Sequence, residues 1–200
     1  MIIANLYGVD DRQLAGGPLW IDDEPFDIVA TAGSQVSADE LVRMARAMLA
    51  DRFQLTLRSE MRELPVYELT TARSDKRLGS GIRKTAGSCQ GARSVERSAC
   101  AIRAAPETIA VGGTTMPAFA AKHLAPLLDR LIIDRTGLAG RFDVVLRFGS
   151  EAEVAPGPVP VSPASRLTAA LEDQLGLRLR ATSGSVPVLV VDRVERPLNN

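Results

Sequence analysis

The only histidine in the chain, His123, stands among Met116, Phe119, Ala120, Leu124 and Leu127. General acid–base chemistry near neutral pH uses a group of this type when a charge or burial tunes it. No second His or Cys stands beside it at metal-ligand spacing, so a zinc site is not expected. Helical spacing alone accounts for its position, and packing is its expected role. Asp134, Asp143 and Asp192 each flank an expected strand. Carboxylates paired across a site could hydrolyse a polymer, whereas strand-end aspartates commonly form turns, and turn formation is the reading taken here. Gly112-Gly113-Thr114-Thr115 precedes an expected helix, where backbone N–H groups can hold an anion. The same residues make a strand-to-helix turn with Thr115 as cap, which is preferred. No G-x-S-x-G elbow, Walker loop or dinucleotide glycine fingerprint occurs, so no catalytic, metal or cofactor-binding residue is expected. Cys89 and Cys100 are the only cysteines. An oxidising compartment would let them close a small ring, and a reducing one would leave two thiols.

The elements that must position these residues follow from periodicity. Leu41, Met44, Ala45, Met48 and Leu49 fall on one helical face, and Ser37 with Glu40 fits a capping box, so a helix is expected over 37–52. Phe53, Leu55 and Leu57 then alternate with polar residues, and Pro65 to Thr70 reads as a return strand. The order recurs at the C-terminus. Ser162-Pro163 starts a helix with Leu167, Ala170, Leu171 and Leu175 as its stripe, and Gly176 stops it. Leu177, Leu179 and Ala181 alternate, Ser183-Gly184 reads as a turn, and Pro187 to Val191 returns. The expectation is an α+β fold of two similar helix-plus-β-hairpin units, which suggests an internal duplication. Residues 1–200 are read as a single domain with a first lobe at 1–73, an exposed loop at 74–106 and a second lobe at 107–200. A third helix is expected from Thr115, kinked or shortened by Pro126, followed by a strand through Phe142, Val144, Leu146 and Phe148. Pro156-Gly157-Pro158 and Pro160 mark a second loop.

Composition narrows the partners. Lys plus Arg equals Asp plus Glu at 24 each, so no net field selects nucleic acid or an anionic membrane. The bases are 21 Arg against 3 Lys, scattered rather than clustered. No run reaches the ~18 apolar residues of a membrane helix, and no signal peptide is visible. Met1 to Tyr7 reads as a helix face whose beginning is missing, so the true start is expected upstream.

Several ordered motifs carry a resemblance. They are Tyr7-Gly8-Val9, Gly16-Gly17-Pro18-Leu19-Trp20, Phe26-Asp27-Ile28-Val29-Ala30, Leu49-Ala50-Asp51-Arg52-Phe53, Arg62-Glu63-Leu64-Pro65-Val66-Tyr67, Asp134 to Asp143, and Leu171 to Leu177. Together they resemble the uncharacterised domain abundant in soil bacteria, across nearly the whole chain. That resemblance implies a domain of unknown function, found behind a signal peptide or appended to membrane metallopeptidases of the beta-lactam-sensor type. It implies an extracytoplasmic location, periplasmic or secreted, and offers no catalytic residue to carry over. The chain departs from it at the start, where members carry an export signal and an extra strand. More loosely, the helix plus Leu-Gly-Leu strand is similar to the short N-terminal modules of secretins and TonB-dependent receptors, which are protein-interaction modules.

The function expected is therefore an extracytoplasmic protein- or ligand-binding or sensing domain without catalysis, its partner an unidentified protein or envelope or extracellular ligand. The alternative is a hydrolase of cell-envelope or extracellular polymers using strand-end carboxylates, and a third reading is an accessory structural domain. If the compartment implied by the resemblance holds, Cys89 and Cys100 form a disulfide that stabilises the 74–106 segment by about 2 to 3 kcal/mol. The mass of the protein after alkylation without reduction checks this, and two alkylated thiols would overturn it.

Overall fold

The structure is a computed structural model that describes residues 2–32, 36–85, 103–105, 107–149 and 162–197. Among the described residues the α-helices are α1 (Ile2–Tyr7), α2 (Trp20–Asp23), α3 (Ala38–Arg52), α4 (Met116–Phe119), α5 (Ala125–Leu128) and α6 (Pro163–Ala170). The strands among them are β1 (Leu14–Gly16), β2 (Thr56–Thr71), β3 (Ile82–Lys84), β4 (Arg103–Ala105), β5 (Thr108–Thr114), β6 (Leu131–Asp134), β7 (Phe142–Arg147) and β8 (Leu177–Arg193). One sheet has the order β1-β8-β2-β6 and the other β3-β7-β5-β4. The fold is α+β, as the patterns imply.

The hairpins are not there. Each expected hairpin is one long strand, β2 after α3 and β8 after α6. The reason lies in the residues chosen as turns. A two-residue hairpin turn needs positive φ, and Gly184 is not among the positive-φ glycines, so Ser183-Gly184 stays extended. Between Thr56 and Leu64 there is no Gly, Pro, Asn or Asp to turn on. Instead Arg58, Glu60 and Arg62 point to one side at period two, with Glu60 bonded to both arginines. Arg58 Nε also donates to Asp192 of β8 at 2.9 Å. At the other end of β2, the Ala72 N–H donates to Gly176 O just before β8.

The chain divides into two compact units, residues 1–64 with 184–200, and residues 65–183. This cuts across the lobes suggested by the sequence pattern, because β2 and β8 each contribute residues to both units. In the first unit, Ile3, Leu49, Phe53, Leu55 and Val191 form the core. α3 carries its capping box, with the Ser37 hydroxyl accepting from Glu40 N and the Glu40 carboxylate accepting from Ser37 N. Arg46 on this helix donates twice to Leu6 O, at 2.9 and 2.6 Å, and lies over the Tyr7 ring, so it closes the C-terminal end of α1. Leu49 is buried, but Leu41 and Met44 are each 47% exposed, so only part of the expected stripe faces the core. β1 pairs in parallel with β8, from Leu14 against Leu189 to Gly16 against Val191. A Cβ on Gly16 would lie 3.1 Å from Val191 O, at a φ of +77° that already favours glycine.

The second unit holds the larger core, built on Phe119, Phe142, Leu69, Met116, Leu124, Leu146, Leu167, Leu171 and Leu175. β6 lies parallel to β2, Val66 against Leu131, while β3 and β5 flank β7 antiparallel. The expected loop at 74–106 thus supplies β3 and β4. β3 escapes a periodicity search because three residues, with Ile82 alone buried, carry too short a pattern. Thr115 caps α4 as expected, its hydroxyl accepting from Ala118 N. The helix then widens into a π turn over Ala120–Leu124 before α5. Pro126 has no N–H to give the carbonyl four residues back and its ring crowds that carbonyl, which is the kind of insult a π turn absorbs. The wider turn moves the buried face by one residue. Leu124 and Ala125 are buried, while Leu127 turns outward. A second π turn, Leu171–Leu175, ends at Gly176 with φ +67°. No helix among the described residues is long and apolar enough to cross a membrane.

Replacing fully buried Leu171 with Ala should cost about 2 to 5 kcal/mol of stability, whereas Leu41→Ala, on the same kind of apolar stripe but exposed, should change it by less than about 0.5 kcal/mol. Urea denaturation followed by circular dichroism measures both.

Candidate functional site

Part of the apolar surface that the first unit leaves open lies around one short stretch, Trp20-Ile21-Asp22-Asp23-Glu24-Pro25-Phe26-Asp27-Ile28, while Leu41, Met44 and Met61 are exposed elsewhere. α2 begins at Trp20 and ends where Pro25 disfavours helical angles for the residue before it, so Glu24 is extended at φ −101°, ψ 116°. That break carries Phe26 back beside the helix. Trp20 and Phe26 meet edge-on with centroids 5.8 Å apart, and Phe26 meets Phe53 at 5.4 Å with the rings nearly perpendicular. This is the geometry that aromatic quadrupoles favour.

Behind these rings lies a cavity of about 370 Å³, closed by Ile2, Ile3, Leu49, Leu55 and Val194, with Asp22 and Glu24 on its lining. A second recess of about 320 Å³ shares Ile21 and Asp22 and includes Asp11, Gly16 and Val191. Ile2, Phe26 and Ile28 stay 45%, 38% and 39% exposed. At the rim, Arg196 lies 5.0 Å over the Trp20 ring and donates through both arms to the Glu24 carboxylate, Nε to Oε2 at 2.9 Å and Nη2 to Oε1. Those hydrogen bonds from Arg196 hold the Glu24 carboxyl below its ordinary range. Chemically, the site can take an apolar or aromatic group inside and a cation at its mouth. Its lining holds the carboxylates of Asp22 and Glu24 and no Ser, Thr, Cys, His or Lys.

The residues first considered for chemistry are placed elsewhere. His123, in the π turn, is half-buried beside the Phe119 ring at 6.0 Å. Burial, and then the Lys122 charge, push its pKa down. Among the described residues it has no carboxylate partner. Asp134 accepts from the N–H and the hydroxyl of Thr136, at 2.9 and 2.7 Å, and Thr136 in turn accepts from Leu138 N. That is the turn expected of it. Asp143 accepts from the Thr85 hydroxyl at 2.8 Å and from Gly113 N at 3.0 Å, and Arg83 stands 3.4 Å away. It thereby pins the irregularity between Val111 and Thr114 where Gly113 takes φ +64°. Asp192 pairs with Arg58. Asp134 and Asp143 each serve a separate local network in the second unit, and Asp192 belongs to the first. Gly112 to Thr114 end β5 rather than forming a separate turn, and Thr115 alone joins the strand to α4, as the cap expected of it. Cys89 and Cys100 lie outside the described residues. Sequence reasoning missed Trp20, Phe26, Phe53, Glu24 and Arg196. A partial signal was present for the stretch itself, since four carboxylates and no base stand between the sole tryptophan and Ile28, but nothing local pointed to Phe53 or Arg196.

The Glu24–Arg196 contact has a defined pH range. A carboxyl whose folded pKa is depressed keeps its contact above the ordinary value of 4.5 and loses it as pH falls through the lower folded value. Emission from Trp20 should therefore be constant from pH 7 down to the ordinary carboxyl value of 4.5 and change only at lower pH, as Arg196 leaves the ring. Glu24→Gln should show the altered emission already at pH 7.

Among known proteins, no curated protein and no solved structure matches the chain. The profile of one family does, that of a protein of unknown function, DUF3738, over residues 1–194. The match covers the cavity, its rim up to Val194 and both long strands, so the resemblance carried by the motifs holds at the level of a domain of unknown function. The chain belongs to the DUF3738 family.

Proposed function

We propose that this chain is an extracytoplasmic, non-catalytic binding domain that receives an apolar side chain or small apolar group in the cavity behind Trp20, Phe26 and Phe53. One observation carries the reading. A preformed cavity of about 370 Å³ is walled by aromatic and aliphatic side chains, with Ile2, Phe26 and Ile28 left part-exposed around it. Cavities of roughly 300 to 1,000 Å³ with this lining are the usual sites for small ligands. Apolar surface left open at such a site has a binding partner more often than not. Binding is supported over polymer hydrolysis because the strand-end carboxylates are engaged as turn and sheet supports. The extracytoplasmic setting is supported by the motif resemblance.

The test uses N-phenyl-1-naphthylamine, a neutral apolar probe whose fluorescence rises in apolar sites, with Trp20 emission as a second readout. It should bind the wild-type chain in a saturable way. Phe26→Ala should weaken it by about tenfold, and His123→Gln should leave it unchanged. Saturable binding that Phe26→Ala does not affect would remove the site from the reading, and no binding would remove the reading.

A further inference from the structure

Arg196 occupies the mouth of the cavity in a way that resembles a bound ligand. Its guanidinium is held in plane by both oxygens of Glu24 and face-on by the Trp20 indole. A bidentate carboxylate plus an aromatic face is how proteins recognise an arginine side chain, because the planar fork matches the first and the cation the second. The residue reaches that position from Val194–Pro197, which follows β8 and has neither helix nor strand. A backbone hydrogen bond from Glu195 N to Phe53 O, at 2.7 Å, ties the segment to the core. Glu24 and Trp20 meanwhile belong to the cavity lining.

The stretch that carries Trp20 and Glu24 is one-sided in charge. Asp22, Asp23, Glu24 and Asp27 lie within the stretch from Trp20 to Ile28, with no Lys or Arg among them. Asp22 lines both the cavity and the neighbouring recess and has no ion-pair partner among the described residues. An added positive charge is therefore attracted even when Arg196 is in place.

We infer that Trp20 and Glu24 form an arginine side-chain site which Arg196 fills in the free chain, and that the partner is a basic amphipathic peptide segment. Its arginine displaces Arg196 while the adjoining apolar side chain enters the cavity. The exchange replaces one guanidinium by another, so Glu24 never loses its ion pair, and the surrounding carboxylates favour the incoming charge. The inference rests on the binding reading above and adds the chemistry of the occupant. Neutral apolar groups use the cavity alone; arginine-bearing ones use the mouth as well.

The experiment titrates N-acetyl-leucyl-arginine amide and its citrulline counterpart, which has the same shape without the charge, against the wild-type chain, Arg196→Ala, Glu24→Gln and the double variant. Trp20, the sole tryptophan, reports the mouth directly. Arg196→Ala should bind the arginine peptide about fivefold more tightly than wild type, with the citrulline peptide little changed. Adding Glu24→Gln should abolish that gain. Unchanged or weaker arginine-peptide binding by a folded Arg196→Ala chain would overturn the inference. Should Arg196→Ala fail to fold, Glu24→Gln alone decides. It must weaken the arginine peptide more than the citrulline peptide, and equal effects on both would overturn the idea. Binding of N-phenyl-1-naphthylamine separates the two levels. If that probe binds and arginine is not preferred, only the arginine site falls; if nothing binds, the cavity reading falls with it.

Discussion

The extended state of β2 and β8 sets the position of nearly everything else. β2 has no turn-forming residue between Thr56 and Leu64, and in β8 Ser183-Gly184 permits a turn but stays extended. β1 takes its register from Val190 and its neighbours, and β6 takes its register from Val66 to Leu69. Leu55 leads into β2 and Val194 follows β8, and both become walls of the cavity. Had either strand turned back at Ser59 to Arg62 or at Ser183-Gly184, these walls would not exist. The charge ladder of Arg58, Glu60, Arg62 and Asp192 favours the straight course, because period-two spacing places alternate side chains on one face. Its ion pairs are exposed and individually weak.

Within each unit the packing follows ordinary rules, applied with two departures. In the second unit, the two π turns each shift the register of a helix against the sheet. They let Phe119 and Leu124, five residues apart, both reach the core, and they do the same for Ala170 and Leu175. In the first unit, α3 buries Leu49 and leaves Leu41 and Met44 open. An exposed methionine and leucine on a helix need no special role. The cavity differs because its exposed residues are gathered around a concave space with a charged rim.

The rim of the cavity is tied to the chain after β8. Glu24 pairs with Arg196 and holds it over Trp20, so the same contacts that fix this segment occupy the mouth. By contrast, Asp143 and Asp134 spend their acceptor capacity on the backbone and hydroxyls of their own turns. A carboxylate committed in this way is a poor candidate for attack or proton transfer.

By itself the sequence determined the local features whose cause lies within a few residues. The capped start of α3, the Thr115 cap, the stop at Gly176, the alternation of Phe142, Val144 and Leu146, and the turn made by Asp134 were all legible, because each depends on spacing or on one residue's backbone preference. The α+β class followed from these. What only the tertiary structure decided depends on distant partners. Whether Ser183-Gly184 turns is settled by the strands beside it, since glycine permits a turn without requiring one. Whether Leu41 or Leu49 faces the core is settled by what packs against the helix, because both satisfy the same periodicity. The site was hidden for the same reason. Trp20 and Phe53 are thirty-three positions apart and Glu24 and Arg196 one hundred and seventy-two, so no local pattern could bring them together, and only the folded first unit does.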